Sequence, residues 1–184
     1  KLVSEERIKH IEKAIKLYKS NDYPVKGLIF CSRVEEAKEL SAKLNQHGFY
    51  TTYLTGEQSD TEREATIKRL ESNEDNLEYI ISVDIFNEGV DIPCVNQVVM
   101  LRPTQSAIIF VQQLGRGLRK DDSKTYVSVI DFIGIYENNF FIPIALYGDN
   151  SYNKDNLRKA LSEGSGTIPG TSTIQINEIA KQKI

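Results

Sequence analysis

The eight residues 112–119 hold the side chains of this chain that are best suited to bind phosphate. Gln112, Arg116 and Arg119 are separated by four and then three residues, so a helical turn would present them on one face. Gly115 and the glycine two residues later weaken a regular helix and let a ligand approach the backbone closely. Two guanidinium groups on such a turn suit a planar, bidentate grip on phosphate oxygens. The alternative is a solvated basic helix end, because cations stabilise helix C-termini.

A second polar segment, residues 87–93, carries one acidic side chain in a turn. Gly89 is followed two residues later by Asp91 and then by Pro93, a pattern that indicates a turn with a carboxylate near a strand end. Such a carboxylate could accept hydrogen bonds from ribose hydroxyls, as acidic residues do in dinucleotide-binding folds. An ordinary turn aspartate that bonds its own backbone would leave the same pattern.

The composition excludes several classes of protein. The chain has 184 residues, of which 40% are hydrophobic and 27% charged, as expected of one ordinary domain with an appendage. A formal charge of -3 means that any contact with nucleic acid must come from local basic patches. With no signal-peptide pattern and no membrane-length apolar run, we expect a cytoplasmic protein without a membrane partner. Neither histidine has metal ligands or a nucleophile nearby in the sequence, so we expect no metal site.

Alternating apolar and amphipathic stretches predict an α/β fold with a mostly parallel sheet and helices on both faces, that is, a three-layer architecture. A serine followed three residues later by glutamate marks two predicted helix starts, at Ser32 with Glu35 and at Ser59 with Glu62. Apolar runs predict strands over residues 26–31, 49–54, 79–83, 97–101 and 126–130. Predicted helices cover residues 4–20 and begin near residues 32, 59 and 106.

The carboxyl ends of the predicted strands carry polar groups, and this is where parallel sheets bind ligands. Ser32 and Arg33 follow the first strand, Thr55 follows the second, and Asp84 follows the third. From Tyr136 the chain changes to an aromatic, loop-rich segment with one predicted helix. We therefore predict a first domain over residues 1–135 and a partly helical extension over residues 136–184, which could be the start of a further domain.

Taken together, these segments resemble the C-terminal RecA-like domain of a superfamily-two helicase of the DEAD/DEAH type, which has the P-loop NTPase-type fold. The resemblance extends from Lys26 to Asp131 and is carried by four blocks in the order typical of that family. Residues 112–119, with residues 129–132 behind them, resemble more closely the bacterial helicases related to restriction-enzyme helicase subunits. The four blocks are residues 27–32 (motif IV), 54–56 with 62–63, 82–84 with 89–93 (motif V), and 112–119 (motif VI).

The resemblance implies roles at an ATP site. Arg116 and Arg119 would be arginine fingers that reach the γ-phosphate and stabilise charge in the transition state. Gln112 would help to orient that phosphate site, and the three residues that would approach or contact the nucleotide are Gly89, Asp91 and Gly115.

A second set of residues would contact the sugar-phosphate backbone of a nucleic acid without reading its bases. The set is Ser32, Arg33, Thr55, Ser82 and Thr104. For Arg33, and equally for Arg63 and Arg102, a surface or structural salt bridge is an open alternative. The resemblance favours DNA over RNA as the partner.

Two motifs of a complete motor are missing from these 184 residues. There is no G-x-x-x-x-G-K-[ST] phosphate loop and no Asp-Glu-x-His/Asp magnesium motif. We expect both in another RecA-like domain that precedes Lys1 and that binds most of the ATP and Mg²⁺. On its own, this chain is expected to be unable to hydrolyse ATP.

Two other functions fit the same residues. One is a non-catalytic α/β module whose arginines bind phosphate or an acidic partner, and it would need no second domain. The other is a translocase of a restriction-type system, which moves along double-stranded DNA without separating the strands. A phosphate loop encoded upstream would favour a motor over the binding module.

Overall fold

The computed structural model describes residues 3–83, 92–102 and 124–132, all of which belong to one compact unit. The predicted boundary between residues 135 and 136, and the whole predicted extension, lie outside these ranges, so the domain division stays a prediction. The described elements, in chain order, are α1 (Glu5–Leu17), β1 (Gly27–Phe30), α2 (Val34–Gln46), β2 (Thr51–Leu54), α3 (Asp60–Glu71), β3 (Tyr79–Ser82), β4 (Gln97–Met100) and β5 (Ser128–Asp131).

The five strands form one parallel sheet in the order β2-β3-β1-β4-β5. The central strand β1 pairs with β3 on one side and β4 on the other, and all residues of these three strands are buried. Their near-continuous apolar sequences are what burial on both faces of a sheet requires. The predicted parallel α/β sheet is therefore confirmed.

Both faces of the sheet are covered. On one face, Ile29, Ile81 and Val99 join a buried apolar cluster with side chains of α1 and α2. On the other face, Leu28 and Ile80 are also buried. The helix residues in the cluster recur at the three- and four-residue spacing of an amphipathic helix: Ile8, Ile11 and Ile15 of α1, and Ala37, Leu40 and Leu44 of α2.

Of the two predicted capping boxes, one is confirmed and one is wrong. At the start of α3, Ser59 N–H donates to Glu62 Oε2 at 2.8 Å, and Ser59 Oγ accepts from Glu62 N–H at 3.3 Å. Helix α2 instead begins after Arg33, and Ser32 N–H donates to Glu36 rather than to Glu35. Glu36 takes this place because it is buried beside the guanidinium of Arg7, which neutralises its charge (2.7 Å).

Two positions in the fold require glycine, for different reasons. Gly48 has a φ of 88° just after α2, a conformation that side-chain-bearing residues rarely adopt and that ends the helix. Gly27 opens β1 directly against the ring of Tyr79, and a Cβ added at Gly27 would overlap that ring. The close approach of β1 and β3 at this end of the sheet therefore depends on a glycine at position 27.

The amino ends of the strands, which we call the amino edge, are joined by buried polar contacts. Tyr79 Oη donates to Gln97 Oε1 at 2.6 Å, and Gln97 Nε2 donates to the carbonyl oxygen of Ile15 at 3.2 Å. Lys26 N–H donates to Asn96 Oδ1 at 3.0 Å. These contacts link β3 and β4 to α1, and they fix the segments that enter β1 and β4.

Candidate functional site

The carboxyl ends of the strands, which we call the carboxyl edge, bring several predicted site residues together. Ser82 ends β3 and lies in register with Leu54 of β2 and Phe30 of β1. Because β3 stands between β2 and β1, the loops that follow these two strands start on either side of Ser82. These two loops contain Thr55 and the pair Ser32–Arg33.

The loop after β1 presents two exposed polar side chains. Ser32 and Arg33 are both exposed, and Arg33 is the N-cap residue of α2 with an extended backbone. Its carbonyl oxygen accepts the first helical hydrogen bond, from Ala37 N–H at 3.0 Å. The Arg33 side chain makes no ion pair with the residues that the structure describes, and its residue is exposed at the helix start.

The hydroxyl group of Thr55 is used inside its own turn. Thr55 is fully buried, and both its N–H and its hydroxyl donate to Gln58 Oε1, at 2.7 and 3.0 Å. The hydroxyl oxygen also accepts from Glu57 N–H at 3.2 Å. Thr55 therefore shapes the turn after β2, which leaves the exposed backbone of Gly56 on the surface of that turn.

Ser82 carries a buried hydroxyl group that lacks a hydrogen bond. The residue is fully buried, and its Oγ has no partner within the described part of the chain. Its carbonyl oxygen is paired, since it accepts from Cys31 N–H at 3.1 Å. A buried hydroxyl without a partner is uncommon in folded proteins, because it lost its water and gained nothing in return.

The charges behind the loop after β1 form a small network. Glu36 is buried, contacts the guanidinium of Arg7, and lies near the buried thiol of Cys31. Burial, and to a lesser extent the charge of Glu36, raises the pKa of the Cys31 thiol from its ordinary value of 9.0 to about 12. Cys31 is thus protonated at neutral pH and is not a nucleophile.

Two further arginines contact the protein itself. Arg63 forms an ion pair with Asp60 at 3.1 Å and donates to the carbonyl oxygen of Gly56 at 3.3 Å. Arg102 is 4% exposed and its guanidinium lies over the ring of Phe30, 5.7 Å from the ring centre. A structural role fits the geometry of both arginines.

The remaining predicted site residues lie outside the described ranges. No group of three or more histidine, cysteine, aspartate or glutamate side chains is arranged to hold a metal ion within residues 3–83, 92–102 and 124–132. The predicted roles of the remaining residues therefore stay predictions; they are Gly89, Asp91, Thr104, Gln112, Gly115, Arg116 and Arg119.

Sequence reasoning missed Arg7 and Glu36 as parts of this edge. Two glutamates stand side by side at positions 35 and 36, and the spacing of a capping box selects the wrong one. The only available signal was a glutamate four residues after Ser32, which is too common in helices to be informative. The choice between the two glutamates depends on the burial of position 36.

Comparison with known families and proteins gives a consistent result. A family model described as the helicase conserved C-terminal domain matches residues 6–121. IRC3 of Saccharomyces cerevisiae is 32% identical over 119 residues, which cover 64% of this chain and 17% of that protein. The ATP-dependent RNA helicase SrmB of Haemophilus influenzae is 31% identical over 106 residues, covering 58% and 24%. The ATP-dependent DNA helicase uvsW of Enterobacteria phage T4 is 36% identical over 81 residues, covering 44% and 16%.

Solved structures show the same fold. The chain is similar to the E. coli DEAD-box protein SrmB in its complex with RraA, with a TM-score of 0.51 and 26% identity, covering 67% of this chain and 72% of that one. It is also similar in fold to the C-terminal domain of the DEAD-box protein Dbp5, with a TM-score of 0.50 and 20% identity, covering 70% and 72%. The predicted RecA-like fold is confirmed. The chain spans less than a quarter of the length of the IRC3 and SrmB proteins that it matches, at 17% and 24%.

Among the described residues, no helix combines the length and the apolar character needed to cross a membrane.

Proposed function

The chain belongs to the family of helicase conserved C-terminal domains, within superfamily two, and we propose that it serves as the second motor domain of an ATP-dependent helicase or translocase. One observation carries the proposal: the family match covers residues 6–121, a range that contains all four motif blocks in order, and the described part of that range forms a parallel sheet. The carboxyl edge of that sheet brings together Ser32, Thr55 and Ser82, one residue from each of the first three blocks, and α/β folds bind ligands at this edge.

At the ATP site, we propose that this chain stabilises negative charge. When bound, ATP supplies the phosphoryl group and Mg²⁺ the countercharge, both held mainly by a partner RecA-like domain. Arg116 and Arg119 stabilise charge on the γ-phosphate, and Gln112 orients the site. Gly89 and Gly115 allow close approach of the backbone. The ribose contact is assigned to Asp91.

On the nucleic-acid side, the proposed contacts go to the sugar-phosphate backbone. The exposure of Ser32 and Arg33 supports this assignment for the loop after β1, which starts across β3 from the turn formed by Thr55. Ser82 contributes a buried hydroxyl between the two loops, and Thr104 is assigned to the same side. Binding through phosphates is tolerant of sequence and weakens steeply with salt.

The choice between DNA and RNA, and the closer relationship to restriction-type helicases, stay predictions. DNA is favoured because residues 112–119 and 129–132 resemble restriction-type helicases, while the similar proteins named above include one RNA helicase and one DNA helicase. A cytoplasmic location also stays a prediction.

The test is ATP hydrolysis by the full-length protein, with and without single- and double-stranded DNA and RNA. Arg116→Ala and Arg119→Ala are each expected to lower turnover by about 10³- to 10⁵-fold, as loss of an arginine finger does elsewhere. Lys120→Ala removes the neighbouring positive charge and is the matched control, with turnover close to that of the unmodified protein.

Each alternative has its own outcome in this experiment. Turnover close to normal in both arginine variants would contradict the assignment of the arginine fingers. A full-length protein that hydrolyses no ATP would favour the non-catalytic binding module. The isolated 184-residue chain is expected to be inactive, since it lacks a phosphate loop, and turnover by that chain would reveal a nucleotide site that the motifs do not include.

A further inference from the structure

The carboxylate of Glu36 connects Arg7 to the loop after β1. Arg7 Nη2 lies 2.7 Å from Glu36 Oε1, and the other carboxylate oxygen of Glu36 accepts a hydrogen bond from Ser32 N–H at 3.3 Å. The side chain of Glu36 is only 10% exposed. One buried group therefore joins helix α1 to the first residue of the candidate nucleic-acid loop.

The carboxylate depends on its positive partner. A buried charge is stable only when it is paired and hydrogen-bonded, and removing one partner leaves the other uncompensated. Without Arg7, the buried Glu36 carboxylate would lose its positive partner and turn towards solvent, which weakens its hydrogen bond to Ser32. The position of the loop after β1 is thus sensitive to a residue outside that loop.

Helix α1 is itself held firmly, so it can act as a fixed support. Ile8 and Ile11, close to Arg7 in the sequence, are fully buried in the core. Helix α1 is tied to α2 at its start by Lys43, which contacts Glu5 at 2.8 Å, and near its middle by His47, whose Nδ1 lies 3.0 Å from Glu12 Oε2. Binding groups are positioned most accurately when the residues behind them lie on rigid elements.

We propose that Arg7 is a positioning residue for nucleic-acid binding: through Glu36, it holds the Ser32–Arg33 loop in the conformation that grips the sugar-phosphate backbone. The inference rests on the proposed function. It assigns the side chains of Ser32 and Arg33, rather than the Ser32 N–H group, to the phosphates, because that N–H group is used by Glu36.

The test measures the affinity of the full-length protein for fluorescein-labelled single-stranded DNA and RNA over a series of salt concentrations. Arg7→Ala is expected to weaken binding by roughly threefold to tenfold, the size of effect found for coupled residues in one network. Arg33→Ala is the positive control. It should weaken binding and lower the salt dependence by about one phosphate contact.

The discriminating step repeats Arg7→Ala in a protein that already carries Glu36→Ala. If Arg7 acts through Glu36, the second substitution causes no further loss, and Arg7→Ala alone leaves the salt dependence unchanged. Direct contact between Arg7 and a phosphate predicts an equal loss in both backgrounds and a lower salt dependence. That second result would overturn the proposal.

Two further variants separate positioning from damage to the fold. Arg7→Lys keeps the positive charge beside Glu36 and is expected to restore part of the affinity. Lys9→Ala removes an exposed positive charge from the same helix and is expected to bind normally. Should thermal unfolding show that Arg7→Ala does not fold, Arg7→Gln replaces it with the same expectations.

The remaining outcomes concern the unmodified protein. If it binds DNA or RNA and Arg7→Ala binds equally well, the positioning role is wrong while the proposed function stands. If it binds neither nucleic acid at any salt concentration, the proposed function fails, and the positioning role fails with it.

Discussion

The two edges of the sheet differ in how completely their buried polar groups are paired. At the amino edge, buried polar groups are paired: Tyr79 with Gln97, and Lys26 with Asn96. At the carboxyl edge, the hydroxyl of Ser82 is buried without a partner among the described residues. The side chains of Ser32 and Arg33 beside it are exposed.

This difference indicates that the amino ends of the strands contribute to stability, whereas their carboxyl ends are available for binding. Paired buried groups stabilise a fold, while an unpaired one costs stability and persists where a ligand or another function requires it. In a parallel sheet all carboxyl ends meet at one edge, so groups that serve a ligand collect there. Strand β3 shows both cases within four residues: the hydroxyl of Tyr79 at its start is paired, and the hydroxyl of Ser82 at its end has no described partner.

The largest effect on stability is expected at the amino edge, from Gly27→Ala. The added methyl group would overlap the ring of Tyr79, which is buried and fixed by its hydrogen bond to Gln97. We expect a loss of roughly 1–3 kcal/mol in the free energy of unfolding, as in other overpacked cores. Urea denaturation of the 184-residue chain measures this loss.

Gly56→Ala is the matched control at the carboxyl edge. No atom lies within 4 Å of the position that its Cβ would take, and its backbone is not in the left-handed region. Its stability should change by less than about 0.5 kcal/mol, as is usual for surface substitutions. Equal losses at Gly27 and Gly56 would remove the contrast in packing between the two edges.

A smaller effect is expected when one hydroxyl group is removed from each end of β3. Tyr79→Phe leaves Gln97 Oε1 buried without its donor, and should cost about 1–2 kcal/mol of stability. Ser82→Ala removes a hydroxyl that has no described partner, so stability should stay equal or rise slightly. Urea denaturation of the two variants gives the comparison.

In the full-length protein, we expect the opposite order for nucleic-acid affinity: Ser82→Ala should lower it more than Tyr79→Phe does. Ser82→Ala is expected to weaken nucleic-acid binding if the hydroxyl belongs to the proposed site, whereas Tyr79→Phe acts at the far end of the strand. A clear loss of stability in Ser82→Ala would show that its hydroxyl is already paired in the fold.

Much of this architecture follows from local sequence, and the rest depends on contacts between distant residues. The apolar runs of β1, β3 and β4 predict buried strands because burial on both faces leaves no room for alternation. The order of the strands does not follow from such runs, since each run fits any interior position. Gln97, the one amide in the run of β4, was a signal for a buried hydrogen bond, but nothing local identifies Tyr79 as its partner.

The candidate site likewise has features that local sequence predicts and features that depend on contacts between distant residues. The positions of Ser32 and Thr55 at one edge follow from the ends of predicted strands, so local patterns were sufficient to group them, whereas Ser82 was indicated only by the resemblance. Their environments were not predictable, because burial of Thr55 and Ser82 depends on the packed sheet. The contact of Arg7 with Glu36 joins two helices that a strand separates in the sequence, and no spacing rule connects them.

The smallest expected effect is a loss of stability in alkali that originates beside the carboxyl edge. The pKa of Cys31 is raised by burial from 9.0 to about 12, so the unfolded chain releases this proton at a lower pH than the folded chain does. Its stabilising contribution is complete below pH 9 and is lost as the pH rises towards 12. Between pH 9 and pH 10 the loss should be about 1 kcal/mol, measured as the difference in urea stability between the unmodified chain and Cys31→Ala.

Burial also raises the pKa of Tyr79, but that side chain starts from 10.0, so its contribution is lost at higher pH than that of Cys31. The loss of stability between pH 9 and pH 10 therefore comes mainly from Cys31 at the carboxyl edge. At higher pH, Tyr79 at the amino edge contributes as well. If Cys31→Ala lost stability over this interval as steeply as the unmodified chain, the Cys31 thiol would have to ionise as readily in the fold as in water. Solvent would then reach the space behind the loop after β1, where Glu36 meets Arg7, and the support proposed for that loop would lose the buried setting on which it depends.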